Sequence, residues 1–405
     1  MRLLHLSDLH LGFRQYQRQT PLGINQREAD VAQAFARAVD RILELAPDLI
    51  VIGGDVFHTV RPTNTAILHA FRQFGRLVHG LPETPIVIAA GNHDMPRSTE
   101  SACILRLFEQ GFAPRADGAS PILVADRAPR RLQFPRLGVS VLAVPDLPPG
   151  SVELTPDPEA RYNVLVLHGE VQGVLPAAGG DDRAAAQIPV AEVTRAGWDY
   201  VALGHYHVTT RVADHVWYAG SLDYTSTNPW GELREERVAG RAGKGMIERD
   251  LRTGVQVVHP LAPTRPLLDL PAVDGSGRTA GELDAAIASA VAAVPGGIDG
   301  AILRLVLRDV PRHVARELDH AALREVQRRA LHFHLDVRRP ESVRREATGG
   351  APGRRPTLTD ALREALAARA LPADVPREAL VALGLRYLED AERDEGDRLV
   401  PGGEG

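Results

Sequence analysis

The chain reads as an α/β protein whose strands carry metal-binding side chains at their carboxyl ends. Five short apolar runs, Leu3–Leu6, Leu49–Ile52, Ile86–Ala89, Val164–Leu167 and Val201–Leu203, alternate with longer segments of helical period. An apolar run of about four to eight residues bounded by glycine is the mark of a strand covered on both faces. Each run leads into carboxylate, amide or imidazole groups: Asp8-Leu9-His10, Gly54-Asp55, Gly91-Asn92-His93-Asp94, His168-Gly169 and Gly204-His205-Tyr206-His207. Ligands in open α/β sheets gather just beyond the carboxyl ends of strands. Five strands delivering such groups to one rim make a metal site.

The connecting elements follow in order. Arg27–Leu45 repeats Val31, Phe35, Val39 and Ile42 at helical spacing until Pro47 stops it. Asn64–Val78 is a second helix with Ile67, Leu68, Phe71, Phe74 and Val78 on one side, and a third is expected around Ser101–Phe112. Residues 171–187, with Gly173, Pro176, Gly179, Gly180, Asp181 and Asp182, offer no periodic core face. That excursion reads as a long loop near the metals that shapes the substrate cleft, or equally as a disordered insertion. From Pro263 to Arg339 the pattern is a smaller α/β unit, with helices at Thr279–Val294 and His320–Ala330 and strands at Ile302–Leu307 and Leu331–Val337. Past the break Gly349-Gly350-Ala351-Pro352-Gly353 come two short helices, one lined by Leu358, Leu362 and Leu366, the other by Leu380, Leu383, Leu385, Tyr387 and Leu388. Thr357 and Asp360 resemble a capping box at the start of the first. The expected organisation is a catalytic domain at 1–262, a second domain at 263–340, a linker at 341–356, a helical segment at 357–392 and a disordered tail at 393–405.

Composition narrows the class. The chain has 405 residues, 44% hydrophobic and 24% charged, which suits a globular protein of more than one core. No apolar run approaches the ~18–20 residues that a membrane helix needs. Met1-Arg2-Leu3-Leu4 enters a ligand-bearing strand, so it is not read as a signal peptide. A single cysteine, Cys103, excludes an internal disulfide framework and fits a reducing cytoplasm. The formal net charge of −5 is unlike that of a protein coating phosphates. One local exception is the run Arg338, Arg339, Arg344, Arg345, Arg354 and Arg355, which reads as a DNA-tracking patch or, better, as a solvated linker.

The donor set has its own chemistry. Oxygen and nitrogen ligands without thiolate suit manganese, iron or zinc. Seven candidates, Asp8, His10, Asp55, Asn92, His168, His205 and His207, are too many for one tetrahedral ion and fit two ions with Asp55 bridging. A pair of ions about 3.5–4 Å apart clamps the attacking and leaving oxygens of a displacement at phosphorus. His93 follows a ligand and is placed to protonate the departing oxygen. Any one of these histidines alone would read as a hydrogen-bonded core residue; five motifs in series do not.

The order D-x-H, GD, GNHD, H-G, GHxH resembles the calcineurin-like metallophosphoesterase superfamily. Asp8-Leu9-His10-Leu11-Gly12, Gly54-Asp55-Val56-Phe57-His58 and Tyr218-Ala219-Gly220-Ser221-Leu222 are similar to the SbcD nuclease family, the nuclease half of SbcCD-type DNA-repair complexes. The resemblance covers about residues 1–260. It implies a four-layer αββα sandwich of two sheets between helices, with a smaller α/β capping domain and a C-terminal helical pair. It further implies Mn2+ dependence, exonuclease and endonuclease activity on DNA, and a homodimer formed through the second and third helices. Carried over by position, Asp8, His10, Asp55 and His207 hold one ion, and Asp55, Asn92, His168 and His205 the other. His93 acts on the leaving group, with His58 as its orienting partner. The helical pair would grip the coiled-coil base of an SbcC-type ATPase, and the enzyme would work in the cytoplasm, at the nucleoid when bound to DNA.

The expected function is therefore metal-dependent cleavage of DNA phosphodiesters with an ATPase partner. The alternative is a phosphodiesterase or phosphatase for a small molecule or nucleotide, which would share every ligand but would not need the carboxyl-terminal machinery. A catalytically silent DNA-end scaffold would be expected to lack ligands or His93.

Overall fold

A computed structural model describes residues 1–96, 102–148, 150, 152–174, 184, 186–240, 243–340, 357–368 and 376–398. The chain divides into two compact units, Met1–Pro340 and Glu341–Gly405. The first opens with β1 (Arg2–Leu6), α1 (Gln26–Leu45), β2 (Leu49–Ile52), α2 (Asn64–Gly80), β3 (Ile86–Ala89), α3 (Arg106–Gln110) and β4 (Ile122–Ala125). It continues through β5 (Arg130–Phe134), β6 (Val139–Val144), β7 (Tyr162–His168), β8 (Glu170–Val171), β9 (Gln187–Ile188), α4 (Val190–Val193), β10 (Tyr200–Gly204), β11 (Thr210–Ala213) and β12 (Val216–Tyr218). Next come α5 (Pro229–Val238), β13 (Lys244–Asp250) and β14 (Gln256–Leu261). The unit ends with β15 (Leu267–Asp269), β16 (Val273–Asp274), α6 (Ala280–Ala292), β17 (Ile302–Arg308), α7 (Arg312–Arg316), α8 (His320–Arg329) and β18 (His332–Val337).

Two six-stranded sheets position the rim. The first has the order β14-β13-β1-β2-β3-β4, the second β11-β12-β10-β7-β6-β5. Strands β1 to β4 run parallel, as do β12, β10, β7 and β6, while β13, β14, β11 and β5 are antiparallel additions. All five expected strands are present, divided three and two between the sheets. Alternation along each strand decides what it touches. Leu4 and Leu6 of β1 turn to Val31, Phe35, Ile42 and Phe74 of the helices. Leu3 turns the other way and joins Val164, Val166, Tyr200 and Ala202 of the second sheet. The sheets therefore lie face to face, with α1 and α2 on the outer face of the first. Leu165, Leu167, Val201 and Leu203 on the outer face of the second pack on Val193, Trp198 and Ile188. Each buried leucine or phenylalanine in these clusters stabilises by about 1.5–3 kcal/mol.

Local signals explain the helix limits. Asn25 accepts from the backbone N–H groups of Arg27 and Glu28 at the start of α1, and Ala46 takes a left-handed φ of 44° at its end, before Pro47. Thr63 caps α2. The expected third helix is shorter in the described residues, Arg106–Gln110, with 97–101 outside them. The α2 stripe is not all core, because Leu68 is 65% exposed. The expected loop 171–187 is pinned at its ends, where β8 pairs in parallel with β9; residues 175–183 lie outside the described set.

The β15–β18 sheet has its own core of Leu283, Ile287, Leu303, Leu305, Leu307 and Phe333. It is also tied to the larger sheets. Arg265 Nε donates to Asp30 at 2.7 Å, Arg18 caps the last carbonyls of α8, and Tyr16 stacks on His332 with ring centroids 3.9 Å apart. In the second unit, α9 (Leu358–Ala368) and α10 (Arg377–Arg398) form the expected helical pair. The Thr357–Asp360 box is present, with Asp360 N–H donating to Thr357 Oγ1 at 3.2 Å and Thr357 N–H to Asp360 at 3.1 Å. Helix α10 runs to Arg398, through the start of the expected tail.

Candidate metal centre

The loops leaving β1, β2, β3, β7 and β10 meet where the carboxyl ends of the two sheets converge. Close backbone approach makes this possible. A Cβ on Gly204 would stand 1.9 Å from Gly53 O, and one on Gly91 only 2.1 Å from Asp55 Oδ1. Only glycine lets β2 and β10 touch and lets the Asp55 carboxylate pass beneath the Gly91 turn. Four candidate ligands sit in left-handed backbone: Asp8 (φ 53°), His10 (45°), Asp55 (51°) and His205 (107°). Such conformations cost on the order of 1–3 kcal/mol each and persist where surrounding bonds over-determine them. Here Asp8 N–H donates to Gly54 O and His10 N–H to Asp55 O, both at 2.9 Å.

The side chains converge on Asp55. Its Oδ2 lies 3.7 Å from His10 Nε2 and 3.5 Å from His168 Nε2, while Oδ1 accepts the His93 backbone N–H at 2.9 Å. His10 Nε2 faces His207 Nε2 at 3.0 Å, and His168 Nε2 faces Asn92 Oδ1 at 2.9 Å. Among the described residues, three groups of ligand atoms lie close enough to hold an ion: Asp8, His10 and His207; Asp8, Asp55 and His168; and His10, His58 and His93. His205 is in none of these groups. Its ring lies beside that of His168 with centroids 5.4 Å apart, its Nε2 is 3.4 Å from Glu170, and its backbone N–H binds the Asp8 carboxylate at 3.0 Å.

The donor set fits divalent cations. His168 Nδ1 is 2.7 Å from Gly53 O, a group that can only accept, so Nδ1 carries the proton and the neutral ring turns its Nε2 lone pair to the pocket. That lone pair meets oxygens of Asn92 and Asp55, an arrangement of acceptors that a cation joins. Charge leads to the same conclusion. Asp8, Asp55 and Asp94 are almost fully buried, and burial pushes all three carboxyls up, Asp8 to about 6. Burial drives His10 well below its ordinary range, helped by the His207 and His93 rings. For His168 burial pulls down, but Asp55 and Asp8 outweigh it and the net shift is upward. Buried carboxylates at such density are costly unless a cation offsets them.

His93 stands beside this cluster. Its Nδ1–H donates to the main-chain oxygen of His58 at 2.7 Å, and the two rings lie nearly parallel at 5.3 Å. The orienting contact to Nδ1 is thus the His58 carbonyl, while the His58 ring itself is 3.3 Å from His10 Nδ1.

Sequence reading missed the supports. Asp94 accepts backbone N–H bonds from Val56, Phe57 and Gly91 at 3.0–3.1 Å, fastening the Asp55 loop to the Asn92 loop. The Gly91-Asn92-His93-Asp94 motif contained that signal, since Asp beside glycine turns is a frequent acceptor of loop N–H groups. Glu170 behind His205 and Glu232 behind His207 had no local signal.

A rim with this donor set suits ions that polarise phosphoryl oxygens, and the fold beneath it is that of a metallophosphoesterase. The chain belongs to the calcineurin-like phosphoesterase family, whose model matches residues 1–209. It is similar to the DNA double-strand break repair protein Mre11 of Methanopyrus kandleri, 28% identical over 224 residues that cover 52% of this chain and 45% of the relative. The protein of that name from Sulfolobus acidocaldarius is 29% identical over 245 residues, 59% of this chain and 56% of the relative. The one from Sulfurisphaera tokodaii is 28% identical over 277 residues, 64% and 62%. The chain spans less than two thirds of the length of these relatives. Among the described residues, no helix is long and apolar enough to cross a membrane.

Proposed function

We propose that this chain is a metal-dependent nuclease that hydrolyses phosphodiester bonds of DNA during double-strand break repair. The observation that carries the chemistry is the buried Asp55 carboxylate set between His10 and His168 at 3.7 and 3.5 Å. The relatives' part in DNA double-strand break repair supports DNA as the substrate class. Asp8, His10, Asp55 and His207 would hold one ion and Asp55, Asn92, His168 and His205 the other, with Mn2+ as the proposed metal. When bound, the ions supply Lewis-acid charge at phosphorus and a water acidic enough to ionise near neutral pH. The protein's own part is positional. The Asp94 carboxylate holds the two acidic loops together, and Asp8 fixes the turn that presents His205. His93, its Nδ1–H committed to the His58 carbonyl, is left with Nε2 to pass a proton to the departing oxygen.

Residues 263–340 would act as a capping domain beside the rim. Leu358 and Tyr387, 64% and 69% exposed in the helical pair of 357–392, offer apolar surface to an SbcC-type ATPase. Exposed Leu68 of α2 and Leu107 of α3 favour a homodimer through those helices. The enzyme would act in the cytoplasm, at the nucleoid. The test is cleavage by the purified chain with Mn2+, offered hairpin-ended duplex DNA and bis(p-nitrophenyl) phosphate, with Asp55→Asn as control. DNA cut by the wild type and not by Asp55→Asn supports the proposal. Hydrolysis of the small ester alone moves the substrate to small phosphodiesters, and hydrolysis of neither overturns the metal-site reading.

A further inference from the structure

Behind His207 stands a buried polar cluster that the proposed reaction does not use. His207 Nδ1 lies 3.4 Å from Glu232 Oε1, a residue of α5, and 3.5 Å from Thr225 Oγ1. Glu232 Oε2 is 2.5 Å from Lys244 Nζ at the start of β13. Lys244, its side chain 1% exposed, also reaches Glu236 Oε1 at 3.2 Å and donates to the main-chain oxygen of His207 at 2.9 Å. The far side of the cluster is closed by Tyr224, whose hydroxyl donates to Glu236 at 2.7 Å and whose ring lies 4.4 Å from the ammonium. One cation from β13 and two carboxylates one turn apart on α5 are therefore held out of water. Burying such a set is seldom a gain in stability over apolar packing, so its geometry asks for another reason.

We infer that Glu232 is a positioning residue for His207: it accepts the Nδ1–H, fixes the ring's tautomer and aims Nε2 at the rim, while Lys244 clamps both Glu232 and the His207 main chain. This rests on the metal reading proposed above and adds residues to it that touch neither ion nor substrate. The physical ground is that a histidine ligand is oriented, and made a better donor, by the group accepting its second ring N–H. Glu232 does so with a full charge in a dry site, and Lys244 keeps that charge from rotating away. Glu236 provides an internal comparison, since it binds the same ammonium without reaching His207.

The experiment is Mn2+ titration of the metal-stripped full chain by calorimetry, with bound ions counted by elemental analysis. Glu232→Gln is expected to weaken one of two ion equivalents by about 10–100-fold and spare the other. Glu236→Gln is expected to leave both within about twofold, well short of that range. In the metal-free wild type, nitrogen-15 NMR should place the His207 proton on Nδ1, with the signal assigned by its loss in His207→Asn. The inference is overturned by unchanged Mn2+ binding in Glu232→Gln, by an equal loss in Glu236→Gln, or by a proton on Nε2. A wild type that takes up no Mn2+ would instead sink the metal reading itself, and the NMR result on unmutated protein stands even if a variant folds poorly.

Discussion

Acidification to pH 5 should cost the folded chain about 2 kcal/mol through His5 alone. The residue lies on β1 between the two sheets, fully buried, with Nδ1 3.0 Å from the Tyr200 hydroxyl. Burial holds its imidazole neutral and lowers its pKa from 6.5 to about 3, a backbone contact with Leu203 opposing the shift only in part. In the unfolded chain the ring titrates near 6.5. Below that pH the unfolded state gains a proton that the folded state refuses, so stability is complete above 6.5 and drains away as pH falls toward 3. The interval from 6.5 to about 3, at about 1.36 kcal/mol per pH unit, amounts to about 5 kcal/mol in full, of which about 2 has accrued by pH 5. The assay is urea unfolding at pH 7.5 and pH 5, followed through the fluorescence of buried Trp198, Trp217 and Trp230. His5→Asn retains a polar partner for Tyr200 and removes the titration. Groups common to both proteins cancel, so the wild type should lose about 2 kcal/mol more than the variant between the two pH values. Equal losses would show that burial does not hold the His5 ring neutral. Because β1 leads directly to Asp8 and His10, activity should fall over the same interval.

Three further outcomes are expected. His93→Ala should lower hydrolysis by at least about 100-fold with metal content unchanged, whereas His58→Ala, which keeps the carbonyl that orients His93, should lose less; equal losses would give the orienting role to the His58 ring. Gly91→Ala would set a methyl 2.1 Å from Asp55 Oδ1, costing about 1–3 kcal/mol or more and depleting bound metal, as read by thermal melting and elemental analysis; a variant that melts and binds like the wild type would show that the loop yields freely. Cys103 is buried, its Sγ 3.4 Å from Asp94 O, and burial together with the Asp94 charge pushes the thiol up to about 12. It should resist Ellman's reagent until urea unfolds the chain, and fast labelling of native protein would contradict that packing.

What could be read in sequence was local. Runs such as Leu49–Ile52 and Ile86–Ala89 announce covered strands because both faces must be apolar, and Thr357 with Asp360 announces a helix start because their oxygens accept orphan N–H groups. The seven candidate ligands and His93 stood out because each follows a strand within a few residues. Tertiary structure alone decided how those strands divide, β1, β2 and β3 in one sheet and β7 and β10 in the other, since pairing depends on which face each strand buries and against what. It also decided the supports. Helix α5, with Glu232, Arg234, Glu235, Glu236 and Arg237, has the composition of a solvated surface, yet Glu232 and Glu236 are buried on Lys244. No local period encodes that, because the ammonium comes from a different element. Nor could spacing show that His93 is held by the His58 carbonyl, or that His205 turns its Nε2 toward Glu170. A ligand's identity belongs to its own position in the chain. Its orientation belongs to groups that folding brings from elsewhere, so only the folded chain determines where the lone pairs meet.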